Sequence, residues 1–244
     1  MKPLTWLDAR NPDQPFPSPE NALGEPNGLL AVGGNLEPRR LLNAYRQGIF
    51  PWFGRDQPIL WWSPDPRTVF FPDLIKVSRS LGKRLRSGCY RVRFDTAFTE
   101  VIEACAAPRP DAPDSWITPA MRLAYRRLHA LGYAHSIESW EGDELVGGLY
   151  GVALGGAFFG ESMFSRRSDA SKVALVQLGH FLHARGFGFI DCQLETSHLL
   201  SLGAVTLRRS QFLALLRQHV DRPCAPGSWR GFEPPEDRPL GRST

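Results

Sequence analysis

Sulfur and long apolar runs are both scarce in this chain of 244 residues. Its four cysteines are Cys89, Cys105, Cys192 and Cys224. No two stand at C-x-x-C spacing and no paired histidines follow them, which argues against a structural zinc. Met1 to Arg10 holds no apolar run of signal length, and no segment approaches the roughly 20 apolar residues that span a bilayer. Reduced thiols, a cytoplasmic location and no membrane contact are therefore expected. A Walker A string and a G-x-S-x-G elbow are also absent, which removes the usual nucleotide-hydrolysis and serine-hydrolase chemistries. The glycine-rich string Gly147-Gly148-Leu149-Tyr150-Gly151 lies inside a strand candidate and lacks dinucleotide spacing. The six histidines show no metal-ligand spacing, and Cys192, in an apolar strand, reads as inert packing.

What is present is an ordinary globular composition, with 42% hydrophobic residues, enough for a real core. To about Ser63 the chain is rich in Pro and Gly, which favours turns over regular elements; one helix candidate starts after Pro38 and stops at Gly48. Recurring aromatics make this stretch a compact subdomain and not a linker. From Pro64 strands and helices alternate. Strands are expected at Arg67 to Phe71 and Tyr90 to Phe94, and helices at Ser78 to Arg86 and Thr96 to Ala106. A clear helix follows, with Thr118 as N-cap, Pro119 first, Gly132 just past the end, and Ala120, Ala124, Leu128 and Leu131 on one face. Three strand candidates joined by Gly-containing turns form a meander: His135 to Trp140, Glu144 to Ala153 and Ala157 to Met163. A helix from Ala170 to Arg185, capped by Ser168 or Asp169, a strand from Phe187 to Cys192 and a helix from Gln211 to His219 complete the order. The class is α+β with a mostly antiparallel sheet flanked by helices. The Pro- and charge-rich end after Pro223 reads as loosely held.

Between Asp73 and Asp95 stand Lys76, Arg79, Lys83, Arg84, Arg86, Arg91 and Arg93, with no acid among them. Arg79, Lys83 and Arg86 share one helix face by spacing. Such a face suits a phosphate backbone, although most charge runs are only solvated surface. Trp52, Trp61 and Trp62 cluster beside Phe50 and Phe53. Trp52 is equally a stacking platform or seam packing, while Trp61 and Trp62 read as seam.

Three strings carry polar groups at element ends: Gly160-Glu161-Ser162-Met163-Phe164-Ser165, Ile190-Asp191-Cys192-Gln193 and Trp116-Ile117-Thr118. Asp191 and Gln193 are two apart, so an extended strand turns both to one side. Either Glu161, Asp191 and Gln193 converge on a cleft, or Glu161 pairs with a base such as Arg166 while Asp191 caps the next turn.

These strings, with FPSPENAL, EPNGLLAVGGNL, YRQGIFPWF, ILWWSPDPR, HSIESW, ELVGGLYGVALG, ASKVAL and SLGA, resemble the leucyl/phenylalanyl-tRNA–protein transferase family over roughly residues 16 to 204. The resemblance implies a small N-terminal domain at residues 1–63, a GNAT-like acyltransferase domain at 64–235 and a loose tail at 236–244. It implies transfer of Leu, Phe or Met from aminoacyl-tRNA to proteins beginning with Arg or Lys, which marks them for N-degron proteolysis. It carries a catalytic role to Asp191 and Gln193, substrate-side roles to Glu161 and Met163, adenosine contact to Trp52 and an active-site wall to Trp116. It gives Arg79, Lys83, Arg84 and Arg86 a meaning as tRNA contacts. Leu149, Met163, Leu175 and Ile190 are candidates for the apolar pocket. No cofactor or metal is expected, and the enzyme is expected to act as a monomer. A CoA-dependent N-acetyltransferase and a non-catalytic RNA-binding protein are the competing readings. The first lacks the glycines of a pyrophosphate-holding turn at Arg166 to Ser171.

Overall fold

The computed structural model describes residues 4–108 and 115–232, so the tail expected at 236–244 and the last residues of the second expected domain lie outside the described residues. The Pro- and Gly-rich N-terminal stretch builds a sheet where turns alone were expected. Its strands are β1 (Thr5–Leu7), β2 (Leu29–Gly33), β3 (Phe50–Pro51) and β4 (Leu60–Trp62), in the order β1-β2-β4-β3. None exceeds five residues, too short for alternation to show in the sequence. Helix α1 (Pro38–Arg46) stands where a helix was expected, with Pro38 as its first residue instead of the one before it. Arg40 is buried under the sheet, donating to the carbonyls of Asn11 and Gln14 and lying over the Phe16 ring.

Seven strands form the second sheet: β5 (Arg67–Phe70), β6 (Arg91–Phe94), β7 (Ala134–Glu141), β8 (Glu144–Leu154), β9 (Ala157–Ser165), β10 (Phe189–Gln193) and β11 (Val205–Leu207). Their order is β11-β5-β10-β9-β8-β7-β6. Every neighbouring pair is antiparallel except β9 with β10. One face carries α1, α3 (Phe98–Ala106), α4 (Pro119–Ala130) and α7 (Arg209–His219). The other carries α5 (Ala170–Ala184) and α2 (Arg79–Arg86). A short α6 (Ser197–Ser201) and β11 were not foreseen; each is too brief to show a period. The core on the first face is continuous with that of the N-terminal sheet: Trp61, fully buried, belongs to the same cluster as Val69 and Tyr150, which is the seam role expected of it.

Local details explain the element ends. Thr118 Oγ1 accepts from Met121 N at 3.3 Å, and Pro119 opens α4, as expected. The buried stripe of α4 is Met121, Ala124, Tyr125 and Leu128, whereas Ala120 and Leu131 face solvent, because Met121 and Tyr125 offer more surface to bury. Neither Ser168 nor the Asp169 side chain caps α5; Ser165 Oγ accepts from Ser171 N instead. A Cβ on Gly147 would stand 2.5 Å from that of Ala170, so glycine lets the start of α5 sit directly on β8.

The segment after Pro223 is exposed through Ser228 and is then anchored at Trp229. Trp229 is only 8% exposed, stacked on His135 at 3.7 Å and lying against Phe181. Its backbone N donates to Asp95 Oδ2 at 2.6 Å, and Asp95 also accepts from His135 Nδ1 and Ser136 N. This buried carboxylate closes the C-terminal segment over the sheet; hydrogen bonds from the His135 side chain and from backbone N–H groups hold its pKa below the usual range despite burial, which acts the other way. Trp229→Ala is expected to cost about 3–5 kcal/mol of stability, read as a drop in the urea midpoint at unchanged slope.

Candidate active site

The parallel pairing of β9 with β10 runs through Phe189↔Ala157, Ile190↔Phe158 and Asp191↔Phe159, and there it stops. Beyond that point both strands depart from regularity. In the β8–β9 pair the register slips at Tyr150/Gly151, so that Gly160 and Ser162 face adjacent residues of β8 and Glu161 is the extra one. β10 bulges between Asp191 and Gln193, and Gln193 takes a positive φ of 57°. The result is a place in the middle of the sheet where β9 and β10 are no longer paired. Residues 157–159 of β9 are buried, but Gly160, Glu161, Ser162 and Met163 are partly exposed, as are Cys192 and Gln193 on β10.

Asp191 is fully buried and does not face this place with a free oxygen. Its Oδ1 accepts from Arg67 Nε at 2.8 Å and from Gln193 N at 3.1 Å, and its Oδ2 accepts from Arg67 Nη2 at 2.6 Å. The guanidinium lies between the rings of Phe50 from β3 and Phe212 from α7, 4.8 and 4.5 Å from their centroids. α7 is itself tied to the junction between the sheets, since Arg209 donates to Ser63 O and its backbone N to Asp65 Oδ1. The bulge overturns the expected alternation: Gln193 stands opposite Thr68 and not Arg67, so Asp191 and Gln193 do not share a face by period two. They are joined instead through the Gln193 backbone N–H. Gln193 Nε2 is buried and has no hydrogen-bond partner among the described residues, an arrangement that costs about 1–3 kcal/mol unless something enters to accept from it.

Glu161 does not pair with Arg166, which donates to Leu145 O and lies over Phe164. Its oxygens are in hydrogen-bonding contact with Tyr45 Oη of α1 and Tyr125 Oη of α4, each at 2.7 Å. Removal from water pushes its pKa up to about 7, against the two tyrosine hydrogen bonds that favour the ionised form. Asp191 raises it further and Arg67 lowers it, so the two carboxyl groups do lie near one another. Leu149, Leu175 and Ile190 fall in one apolar cluster with Met163 against it, but on the α5 face, whereas Glu161 turns to the α1–α4 face. Burial, and then the Asp191 charge, drive the Cys192 thiol pKa far up, which disfavours the thiolate.

The aromatic candidates divide. Trp52 is 40% exposed and edge-on to Trp62, whose Nε1 donates to Trp52 O. Trp116 is partly exposed and packs on the α4-side core, directly before the α4 cap. On α2, Arg79, Lys83 and Arg86 are exposed and form no ion pair with described residues, while Arg84 is turned onto Tyr90 and Cys89. Arg67, Tyr45 and Tyr125 escaped sequence reading. Arg67 had a signal in its unusual place, an Arg heading an apolar strand; the tyrosines had none.

Arg67→Met tests the weight of the buried pair. Leaving Asp191 without its cation is expected to destabilise the fold by about 3–5 kcal/mol, measured by urea unfolding; a loss under 1 kcal/mol would mean that the carboxylate finds water or another donor.

With this geometry in hand, comparison with known proteins is direct. Residues 69–217 match the family described as leucyl/phenylalanyl-tRNA protein transferase, and residues 34–65 match its N-terminal domain. A leucyl/phenylalanyl-tRNA–protein transferase of Alkalilimnicola ehrlichii is 59% identical over 231 residues, 94% of this chain and 90% of that protein. Those of Stutzerimonas stutzeri and Azoarcus sp. are 59% and 60% identical, covering 93% of this chain and 99% and 96% of theirs. Matched over both sheets and nearly end to end with these relatives, the chain belongs to the leucyl/phenylalanyl-tRNA–protein transferase family.

Proposed function

We propose that this enzyme transfers leucine, phenylalanine or methionine from aminoacyl-tRNA to the α-amine of proteins that begin with Arg or Lys, as a cytoplasmic monomer that marks them for N-degron proteolysis. Family membership supports the aminoacyl transfer, and one structural observation supports its location: the unpartnered Gln193 amide at the place where β9 and β10 part. We read residues 1–63 as the small first domain and 64–235 as a GNAT-like domain. The parting of a parallel strand pair at the site supports the second assignment.

The donor is an ester and the product an amide, so no ATP is needed. The attacking α-amine has a reference pKa of ~7.7–8.0 and is partly neutral near pH 7. The enzyme then needs alignment and stabilisation of charge on the carbonyl oxygen. Gln193 Nε2 donates to that oxygen. Asp191, buried and held by Arg67, is a positioning residue that fixes the Gln193 bulge through the backbone N–H; direct removal of the amine proton does not suit a carboxylate with no exposed surface. A left-handed non-glycine residue is strained by about 1–3 kcal/mol, and such strain persists only where surrounding contacts enforce it. Leu149, Met163, Leu175 and Ile190 receive the donor side chain on the α5 face, with Met163 at the rim. Trp52 and Trp116 stack or wall the terminal adenosine.

Arg79, Lys83 and Arg86 track tRNA phosphates, with Arg84 contributing less because its guanidinium is engaged on Tyr90. In the competing reading of a non-catalytic RNA-binding protein these same residues act alone, and the assay below separates the two.

Labelled leucine is expected to pass from charged tRNA to an Arg-starting peptide without ATP; absence of transfer would leave only binding. Gln193→Ala, by removing the donor, and Asp191→Asn, by loosening the bulge that aims it, are each expected to lower kcat about a hundredfold or more, with aminoacyl-tRNA affinity within about twofold. Replacing Arg79, Lys83 and Arg86 together by Ala should do the reverse: near-normal kcat at saturating donor, weaker tRNA binding, and a slope of log affinity against log salt shallower by roughly 2 to 3. An unchanged salt slope would remove this face from the tRNA path.

A further inference from the structure

Between α1, α4 and β9 three oxygen groups make more contacts than an ionised carboxylate can satisfy. Tyr45 Oη lies 2.6 Å from Tyr125 Oη and 2.7 Å from Glu161 Oε1, and Tyr125 Oη lies 2.7 Å from Glu161 Oε2. Each contact of this length needs one proton between its oxygens. A tyrosine hydroxyl has one to give, and burial raises both tyrosines well above their usual range, so both keep it. Two protons cannot fill three contacts. With Glu161 ionised, both hydroxyls point at the carboxylate and the two tyrosine oxygens meet with nothing between them. With Glu161 protonated the ring closes: Glu161 donates to Tyr45, Tyr45 to Tyr125, and Tyr125 to the second Glu161 oxygen. The proton count thus assigns a neutral Glu161 to this geometry, and a pKa of about 7 agrees with it.

The surroundings favour the same state. The charged and titratable groups facing the ring are Asp191 from β10, Arg67 from β5 and Tyr150 from β8, with Cys105 of α3 behind Tyr150. Arg67 already spends two nitrogens on Asp191, so Glu161 has hydroxyls and no cation of its own. Both tyrosines are fully buried, whereas Glu161 stands on the partly exposed bulge of β9, so of the three residues Glu161 is the one nearest the surface.

We propose that Tyr45, Tyr125 and Glu161 hold a proton for the transfer reaction, which Glu161 gives to the departing ribose oxygen. The proposal rests on the aminoacyl-transfer reading above and adds to it the identity of the acid. As the amine nitrogen bonds to the ester carbon, the carbon–oxygen bond to ribose breaks. The ribose oxygen takes the Glu161 proton and leaves as a hydroxyl. The nitrogen, now positively charged, returns one of its protons to the Glu161 carboxylate. No proton is consumed overall, and the ring is ready for the next turn. A neutral Glu161 also removes the ionic role it would otherwise play toward an Arg or Lys acceptor side chain.

The test begins without substrate. Infrared spectra of the full chain, with glutamate labelled by carbon-13, are recorded across the neutral range. Wild type is expected to show a protonated carboxyl band that disappears with a midpoint near 7, and Glu161→Gln should lack it. In Tyr125→Phe the Glu161 carbonyl loses its donor, so the band should move to higher frequency. Single-turnover transfer to saturating acceptor should be slowed about a hundredfold in Glu161→Gln, and the fall in rate on the alkaline side of the profile should vanish. If Glu161→Gln does not fold, Tyr125→Phe carries both readouts. An identical band in wild type and Glu161→Gln overturns the protonated ring. A titrating band with an unaltered alkaline limb overturns the proton transfer and leaves the ring structural. Wild type that titrates as expected but transfers nothing would sink the aminoacyl-transfer reading while leaving the protonated ring intact.

Discussion

The site depends on one buried ion pair. Arg67 and Asp191 are both fully buried, and a charge in such a place is tolerated only beside its partner, although Arg67 Nη1 finds no hydrogen-bond partner among the described residues. Here the carboxylate takes two guanidinium nitrogens and the Gln193 N–H, while the guanidinium is pressed between Phe50 and Phe212. Four separate parts of the chain meet at this pair: the N-terminal sheet, the first strand of the large sheet, the strand that bulges at Gln193, and α7. Any of them shifting would leave charge uncompensated in an apolar core. That makes the pair poor as a source of net stability but strong as a constraint on geometry, and geometry is what an aminoacyl-transfer site needs when the reaction is already downhill.

Two carboxyl groups close together in low dielectric cannot both be ionised without large cost unless one is compensated. The fold resolves this by giving them different partners. Asp191 has the only guanidinium among the described residues that contacts either group; Glu161 has two hydroxyls. Environments that separate a pair of acids in this way assign them different tasks. One carboxyl becomes a fixed strut beneath the bulge, and the other a group able to gain and lose a proton near neutral pH.

Sequence reading found the elements whose signals are local. The α4 boundaries were legible because Thr118, Pro119 and Gly132 each act on their own neighbours. The meander was legible because its turns carry glycine. The N-terminal sheet was not, since strands of two to five residues show no period. The bulge at Gln193 was missed for a related reason: alternation assumes an unbroken pleat, and the contact that breaks it, Asp191 with Arg67, spans 124 positions. Tyr45 and Tyr125 reach Glu161 across 116 and 36 residues, and Trp229 reaches Asp95 across 134. No window of sequence contains such pairs. Their place at strand ends singled out Glu161, Asp191 and Gln193, and resemblance to a family gave them roles, but neither could say that the first is held by hydroxyls and the second by a guanidinium.

The two faces of the sheet also bear on selectivity. The apolar candidates Leu149, Met163, Leu175 and Ile190 lie toward α5, while the acid ring lies toward α1 and α4, so only the irregular stretch of β9 separates them. A purely apolar surface distinguishes side chains differing by a methylene by only about 1–3 kcal/mol, which suits the loose choice of donor proposed above. It excludes charged donors far more strongly, because burying an unpaired charge there has no compensating partner. A permanently ionised Glu161 at the edge of that surface would weaken the exclusion of cationic donors by offering one. Keeping the acid neutral inside a ring of hydroxyls therefore serves both ends of the proposed reaction: it leaves a proton available for the leaving group and leaves no fixed negative charge on Glu161 beside the apolar candidates.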